Sequence, residues 1–90
     1  MALTDAGEVE ATLRSVLADV LGLDSARVAR FDESTELFGA LPEFDSLAVA
    51  GLLTELEERL GILIEDHEVD AEMMATFGSL LTFARAKTLR

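Results

Sequence analysis

The sequence contains no cysteine, one proline, one histidine, and 7 lysines and arginines against 18 aspartates and glutamates. Without cysteine there is no disulfide, and no metal cage is evident, so packing alone must stabilise the chain. One proline and 6 glycines in 90 residues leave little room for disorder. The shortage of bases gives a net charge of −11, which disfavours nucleic acid and anionic membrane and favours partners with basic surfaces. No run approaches the roughly 18 to 20 apolar residues of a membrane span, and no charged-then-apolar leader opens the chain. A cytoplasmic protein is expected, and the lack of cysteine agrees with that.

What is present is half apolar. Residues 1–90 make one domain, near the small end of what buries an adequate core unaided, with that core spanning about 5–87. Glu43 to Glu72 holds ten acids and one base, Arg59, which marks this stretch as the expected docking face. Behind it, Arg85, Lys87 and Arg90 suit the end of a last helix, where cations oppose the dipole.

Asp5 followed by Glu8 reads as a capping-box-like start, and Val9, Leu13, Val16, Leu17, Val20 and Leu21 recur at helical spacing. The first helix is therefore expected from about Asp5 to Leu21, closed by Gly22. Glu10, Arg14 and Asp19 on its polar side read as a solvated surface. Residues 22–45 form a long connection in which Asp24 or Ser25 caps a short turn through Arg30, with Val28 and Phe31 turned inward. Leu37, Phe38 and Leu41 supply anchors, so this loop is expected to be pinned.

A second helix is predicted from near Asp45 to Leu60, with Val49, Leu52, Leu53, Leu56 and Leu60 as its apolar stripe and Gly61 as its end. Ile62-Leu63-Ile64 lacks a partner strand and reads as a buried loop. Glu65-Asp66-His67-Glu68 opens an expected third, acidic helix reaching about Met74. Thr76 caps a fourth, with Phe77, Leu80, Leu81 and Ala84 on one face. The fold class is all-α, a small four-helix bundle with one long loop between helices one and two.

The chain is organised around Leu41-Pro42-Glu43-Phe44-Asp45-Ser46-Leu47, where a proline-bearing loop becomes a helix. A serine there should stand exposed at a helix N-terminus, whose free amides and dipole favour an attached anion. By residue type alone, Asp45 and Ser46 most often serve only as caps. In this context, over roughly residues 5 to 87, Asp45-Ser46-Leu47 resembles the prosthetic-group site of acyl carrier proteins. The resemblance implies that Ser46 carries covalent 4'-phosphopantetheine, donated by coenzyme A, that Asp45 helps the transferase recognise the site, and that Leu47 packs at the start of the helix. Glu57 and Glu58, with Glu55 beside them, fall where the family presents acids to basic partner enzymes. The absence of cysteine then means that the thiol must come from the arm. Two departures stand out: Glu43, with Pro42 ahead of it, occupies a position where the family commonly has glycine, and Ala48, Val49, Ala50 and Gly51 replace further acids.

Other candidates have simpler readings. Ser15, Ser25, Ser34 and Ser79 read as caps or surface residues. A triad of Ser46, His67 and an acid lacks an oxyanion hole and a cleft, so His67 reads as a surface histidine and no catalytic residue is assigned. Asp66, His67, Glu68, Asp70 and Glu72 lack the glycine turn of a calcium loop, and no metal is expected. Met73, Met74 and Phe77 read as core that could also open around an acyl chain.

The resemblance thus implies a carrier and not an enzyme: a monomeric shuttle holding acyl groups as thioesters for fatty-acid, polyketide or related biosynthesis. Its partners would be a phosphopantetheinyl transferase and acyl-activating or acyl-transferring enzymes with basic docking patches, met through fast, salt-sensitive encounters, with no nucleic acid and no membrane. One alternative is an aminoacyl or peptidyl carrier for an adenylating ligase, and the Pro-Glu-Phe-Asp-Ser-Leu wording also resembles free-standing carriers beside such ligases in bacterial exopolysaccharide and exosortase-linked clusters. Asp45, where peptidyl carriers more often have histidine, leans against that alternative. Another, of a different class, is an acidic helical interaction module without a prosthetic group.

Overall fold

A computed structural model describes residues 5–89 as four helices: α1 (Ala6–Leu21), α2 (Ser25–Ala29), α3 (Ser46–Leu60) and α4 (Phe77–Thr88). Arg90, expected near the end of the last helix, lies outside the described residues. Among the described residues no helix is long and apolar enough to cross a membrane.

The central element is α1, which packs on α2, α3 and α4. It starts where the Asp5 carboxylate accepts a 2.8 Å hydrogen bond from the Glu8 amide, and it stops at Gly22, whose left-handed φ of 67° closes the helix. Its stripe of Val9, Leu13, Val16 and Leu17 is fully buried, and each such side chain contributes about 1.5 to 3 kcal/mol relative to exposure. Leu52, Leu56 and Leu60 of α3 and Phe77, Leu80, Leu81 and Ala84 of α4 complete the same core, as their spacing predicts.

The long connection is pinned, as expected, and the means is backbone hydrogen bonding. The Leu37 and Phe38 amides donate to the carbonyls of Ala75 and Met74 at 2.8 and 3.1 Å. From the other side, the Phe77 and Gly78 amides donate to Thr35 and Glu33 at 2.8 and 3.0 Å. An isolated antiparallel bridge between Glu36 and Thr76 lies in the middle of this seam. Phe31 supports it from below, its ring edge-on to Phe77 at 6.2 Å. At the seam's start the Asp32 carboxylate accepts from the Ser34 amide and hydroxyl at 2.9 and 2.8 Å.

Three expectations need correction. The third helix does not run to Met74: only Asp66–Glu68 form a helical turn, of the 3₁₀ type. Val69 is extended (φ −94°, ψ 120°), and the Asp70 carboxylate then accepts from the Met73 amide at 2.7 Å, starting a separate turn that buries Met73 and Met74. Ile62-Leu63-Ile64 is not a uniformly buried loop, since Leu63 is 67% exposed while its neighbours are half-buried. And the polar side of α1 is more than a solvated surface.

Arg14 donates to the Glu10 carboxylate at 2.8 Å and to the Val28 carbonyl at 2.7 Å, while its guanidinium lies 4.4 Å from the centre of the Phe77 ring. Glu10 also accepts from Arg85 of α4 at 3.0 Å. On the neighbouring face Asp19 pairs with Arg59 of α3 at 2.8 Å. These residues tie α1 to each of its partners. The hydrogen bond from Arg14, aided by the charges of Arg14 and Arg85, holds the Glu10 carboxyl below its ordinary value of 4.5 despite some desolvation.

Because the folded pKa of Glu10 is lowered, its contribution to stability is present above the unfolded value and is lost as the pH falls through the folded one. Glu10→Gln should therefore cost about 0.2 to 1 kcal/mol at neutral pH, the range of an exposed ion pair. In urea titrations at several pH values the gap from the unaltered protein should close on acidification. A gap that stays constant with pH would assign the effect to packing instead.

Candidate functional site

The head of α3 is built by a short arch of loop. The Leu41 amide donates to the Leu37 carbonyl and the Phe44 amide to the Leu41 carbonyl, at 2.9 and 3.0 Å. Phe44 is buried, and its ring meets that of Phe38 edge-on at 5.6 Å. Phe44 and Val49 occupy the two positions of a hydrophobic staple around the cap, which fixes the angle at which the chain enters the helix.

Asp45 is the N-cap. Its backbone is extended (φ −93°, ψ −175°), and its carboxylate accepts from the Ala48 amide at 2.9 Å. The amides of Ser46 and Leu47 have no partner among the described residues. Ser46 is the first helical residue; it is exposed, and its hydroxyl has no hydrogen-bond partner among the described residues. Leu47, expected to pack at the start of the helix, instead is 83% exposed. At the second position of α3 its side chain falls outside the stripe of Leu52, Leu56 and Leu60, so it faces solvent beside Ser46.

The acids expected at the partner face divide by the bonds they already make. Glu55 is engaged by Arg59 at 2.8 Å, and Glu57 accepts from the Ile64 amide at 2.8 Å, holding the loop after α3. Glu58 is exposed, and its carboxylate has no partner among the described residues. Hydrogen bonds from Arg59, first to Asp19 and then to Glu55, raise its pKa further. Glu43 reaches Arg27 of α2 across the arch at 3.5 Å, with both side chains partly exposed.

The remaining serines are placed differently. Ser79 completes the cap of α4 with Thr76, Ser34 is bound to Asp32, and Ser15 accepts from Arg59 at 3.3 Å. Ser25 opens α2, a helix of only 5 residues. His67 is exposed, in the 3₁₀ turn at the other end of α3 from Ser46. No cluster of metal-ligating side chains occurs among the described residues. Met73, Met74 and Phe77 are packed into the core. The residue that sequence reasoning passed over is Phe44, although an apolar residue before an Asp cap, with a second four positions after the cap, is a readable staple signal.

A protein-family model, described as a phosphopantetheine attachment site, matches residues 11–85, a span that includes the whole of α3. The chain belongs to the phosphopantetheine-binding carrier family. Among solved structures, this carrier is similar to a holo acyl carrier protein of Nitrosomonas europaea determined in solution by NMR. The two are 38% identical, superpose with a TM-score of 0.77, and align over 87% of this chain and 92% of that one. The carrier is an acyl carrier protein by family: it holds 4'-phosphopantetheine covalently and is not an enzyme. The geometry at the head of α3 suits such a group, since it offers a free hydroxyl, unpaired amides for a phosphodiester and open space around both.

If Asp45 caps α3 as described, Asp45→Ala should lower stability by about 0.5 to 2 kcal/mol, measured by urea unfolding. The replacement of Asp45 by Asn should recover most of that loss, since the amide oxygen can accept the same bond. Equal losses from both variants would contradict the capping role.

Proposed function

We propose that Ser46 is the attachment residue and that the protein shuttles acyl groups, held as thioesters on the arm, between biosynthetic enzymes. The observation that carries this reading is the free Ser46 hydroxyl at the head of a capped helix, within the span matched by the family model. In the loading step a transferase removes the hydroxyl proton, and Ser46 Oγ forms the new bond to the phosphorus of coenzyme A that bears pantetheine. Adenosine 3',5'-bisphosphate departs with the electron pair of the broken bond. The chain's own part is to present the oxygen, and the dipole and free amides of α3 favour the resulting anion by about 0.3 to 1 kcal/mol. The bound group supplies a terminal thiol, which a chain without cysteine lacks.

Asp45 and the exposed Leu47 flank the hydroxyl and form the surface on which a transferase or acyl-handling enzyme lands. The net charge of −11 draws basic partner surfaces to it. Of the acids on α3, Glu58 is available to such a partner without breaking an internal bond, whereas Glu55 and Glu57 would have to exchange one. The early turns of α3, Ala48 to Gly51, carry no charge, so contact there is apolar and the salt-sensitive attraction comes from farther along the helix. The protein acts in the cytoplasm as a monomer.

The test is the intact mass of the protein after incubation with coenzyme A and a promiscuous phosphopantetheinyl transferase. One added phosphopantetheine on the unaltered chain and none on Ser46→Ala is expected, with the two showing the same helical circular dichroism. Addition to the alanine variant would move the site to another residue. No addition to either, with an active transferase control, would leave an acidic adaptor as the better account.

A further inference from the structure

A groove of about 360 Å³ begins at Ser46 itself and is lined by Phe38, Gly39, Ala40, Leu41, Pro42 and Phe44 together with Asp45. The half-buried Phe38 belongs to its wall, backed by the buried ring of Phe44 edge-on to it. A second concavity, of about 310 Å³, shares Phe38, Gly39 and Ala40 with the first and continues to Ala75 and Thr76. The two therefore adjoin across one turn of the loop, leading from the head of α3 toward the start of α4.

The residues that line the groove combine apolar side chains with backbone groups that have no partner among the described residues. The Gly39 amide and the carbonyls of Phe38, Gly39 and Ala40 make no hydrogen bond among the described residues. Gly39 has a φ of 92°, a conformation that side-chain-bearing residues rarely adopt. The loop is also held in place: the Phe38 amide donates to Met74, and the Ala40 and Leu41 amides both donate to Leu37. A tethered ligand would therefore meet a preformed surface and would not have to order one.

Resting on the reading that Ser46 is the attachment residue, we propose that the pantetheine arm lies along this loop groove, against Phe38 and Leu41, when no partner enzyme holds it. The chemistry matches. The arm has a gem-dimethyl segment suited to an aromatic wall and two amides, whose donors and acceptors answer the free groups at Phe38 to Ala40. Its point of attachment lines the groove, so docking is intramolecular and needs only weak contacts. The groove is open, which leaves the arm free to depart.

The experiment uses isotope-labelled protein carrying an unlabelled arm, with loading verified by intact mass. Isotope-filtered NOEs are expected from the gem-dimethyl and methylene protons of the arm to Phe38, Ala40 and Leu41. In parallel, Ala40→Trp fills the groove at an exposed position, and Ala11→Trp, on the exposed side of α1, serves as a control. An arm docked for half to four-fifths of the time should react with a thiol-alkylating reagent about two- to fivefold more slowly than a free one, because only the undocked fraction reacts. Ala40→Trp should remove that protection and the control should keep it. A loaded protein whose NOEs stay within residues 45–48, or pass to core residues such as Leu56 and Met74, would overturn the groove while leaving Ser46 in place. Alkylation unchanged by Ala40→Trp would do the same. Failure to load at all would overturn the attachment reading and the groove with it.

Discussion

The site of this carrier depends on a backbone seam that is not part of any helix. Four hydrogen bonds join residues 33–38 to residues 74–78, and they make the long connection after α2 a fixed part of the structure. The seam closes because Gly78 has no side chain: a Cβ there would stand 2.7 Å from the Glu33 carbonyl oxygen. Leu37, fully buried between the seam and the arch, fixes where the chain turns back toward α3. The position of Ser46 follows from that turn.

Beyond the seam, the structure divides its polar groups into those used to hold helices together and those left to meet other molecules. Glu10, Arg14, Asp19, Arg59 and Arg85 link α1 to its neighbours, and Lys87 of α4 reaches Glu68 of the 3₁₀ turn at 2.9 Å. In a chain so short of bases, most of the described cations are thereby committed to internal pairs. The outward acids are left uncompensated, and that imbalance is the source of attraction for basic partners. Around Ser46 the groups left free are different in kind: a hydroxyl, two amides and the exposed Leu47. The helix head thus combines an anion-tolerant point with an apolar contact, while the acids lie farther along.

Much of this was legible in the sequence because caps and periodicity are local signals. Asp5, Gly22, Asp45, Gly61 and Thr76 mark ends that the structure places within a residue or two of expectation, and the buried stripes follow the helical repeat. The exposure of Ser46 followed from the same reasoning. What could not be read was set by contacts between distant segments. Arg14 and Glu10 look like an ordinary surface pair until α2 and α4 bring Val28, Phe77 and Arg85 to them. The acidic run after Gly61 has helical composition, yet Lys87 and the burial of Met73 and Met74 favour two separate turns. The resemblance implies that Leu47 packs at the start of the helix, and its position there turns it outward.

The claim on which the account most depends is that the seam holds the loop, and Gly78→Ala tests it. On helix propensity alone this change should stabilise α4, by less than the roughly 1 kcal/mol of a helix interior because Gly78 is its second residue. The close approach to Glu33 should outweigh that gain, since overpacking costs about 1 to 3 kcal/mol and the hydrogen bond to Glu33 is lost with it. A net loss of about 1 to 2 kcal/mol is expected in urea unfolding, with faster amide hydrogen exchange at Leu37, Phe38 and Phe77 and little change within α1. A variant that is more stable than the unaltered protein, with those amides as protected as before, would show that the loop is held by something other than the seam.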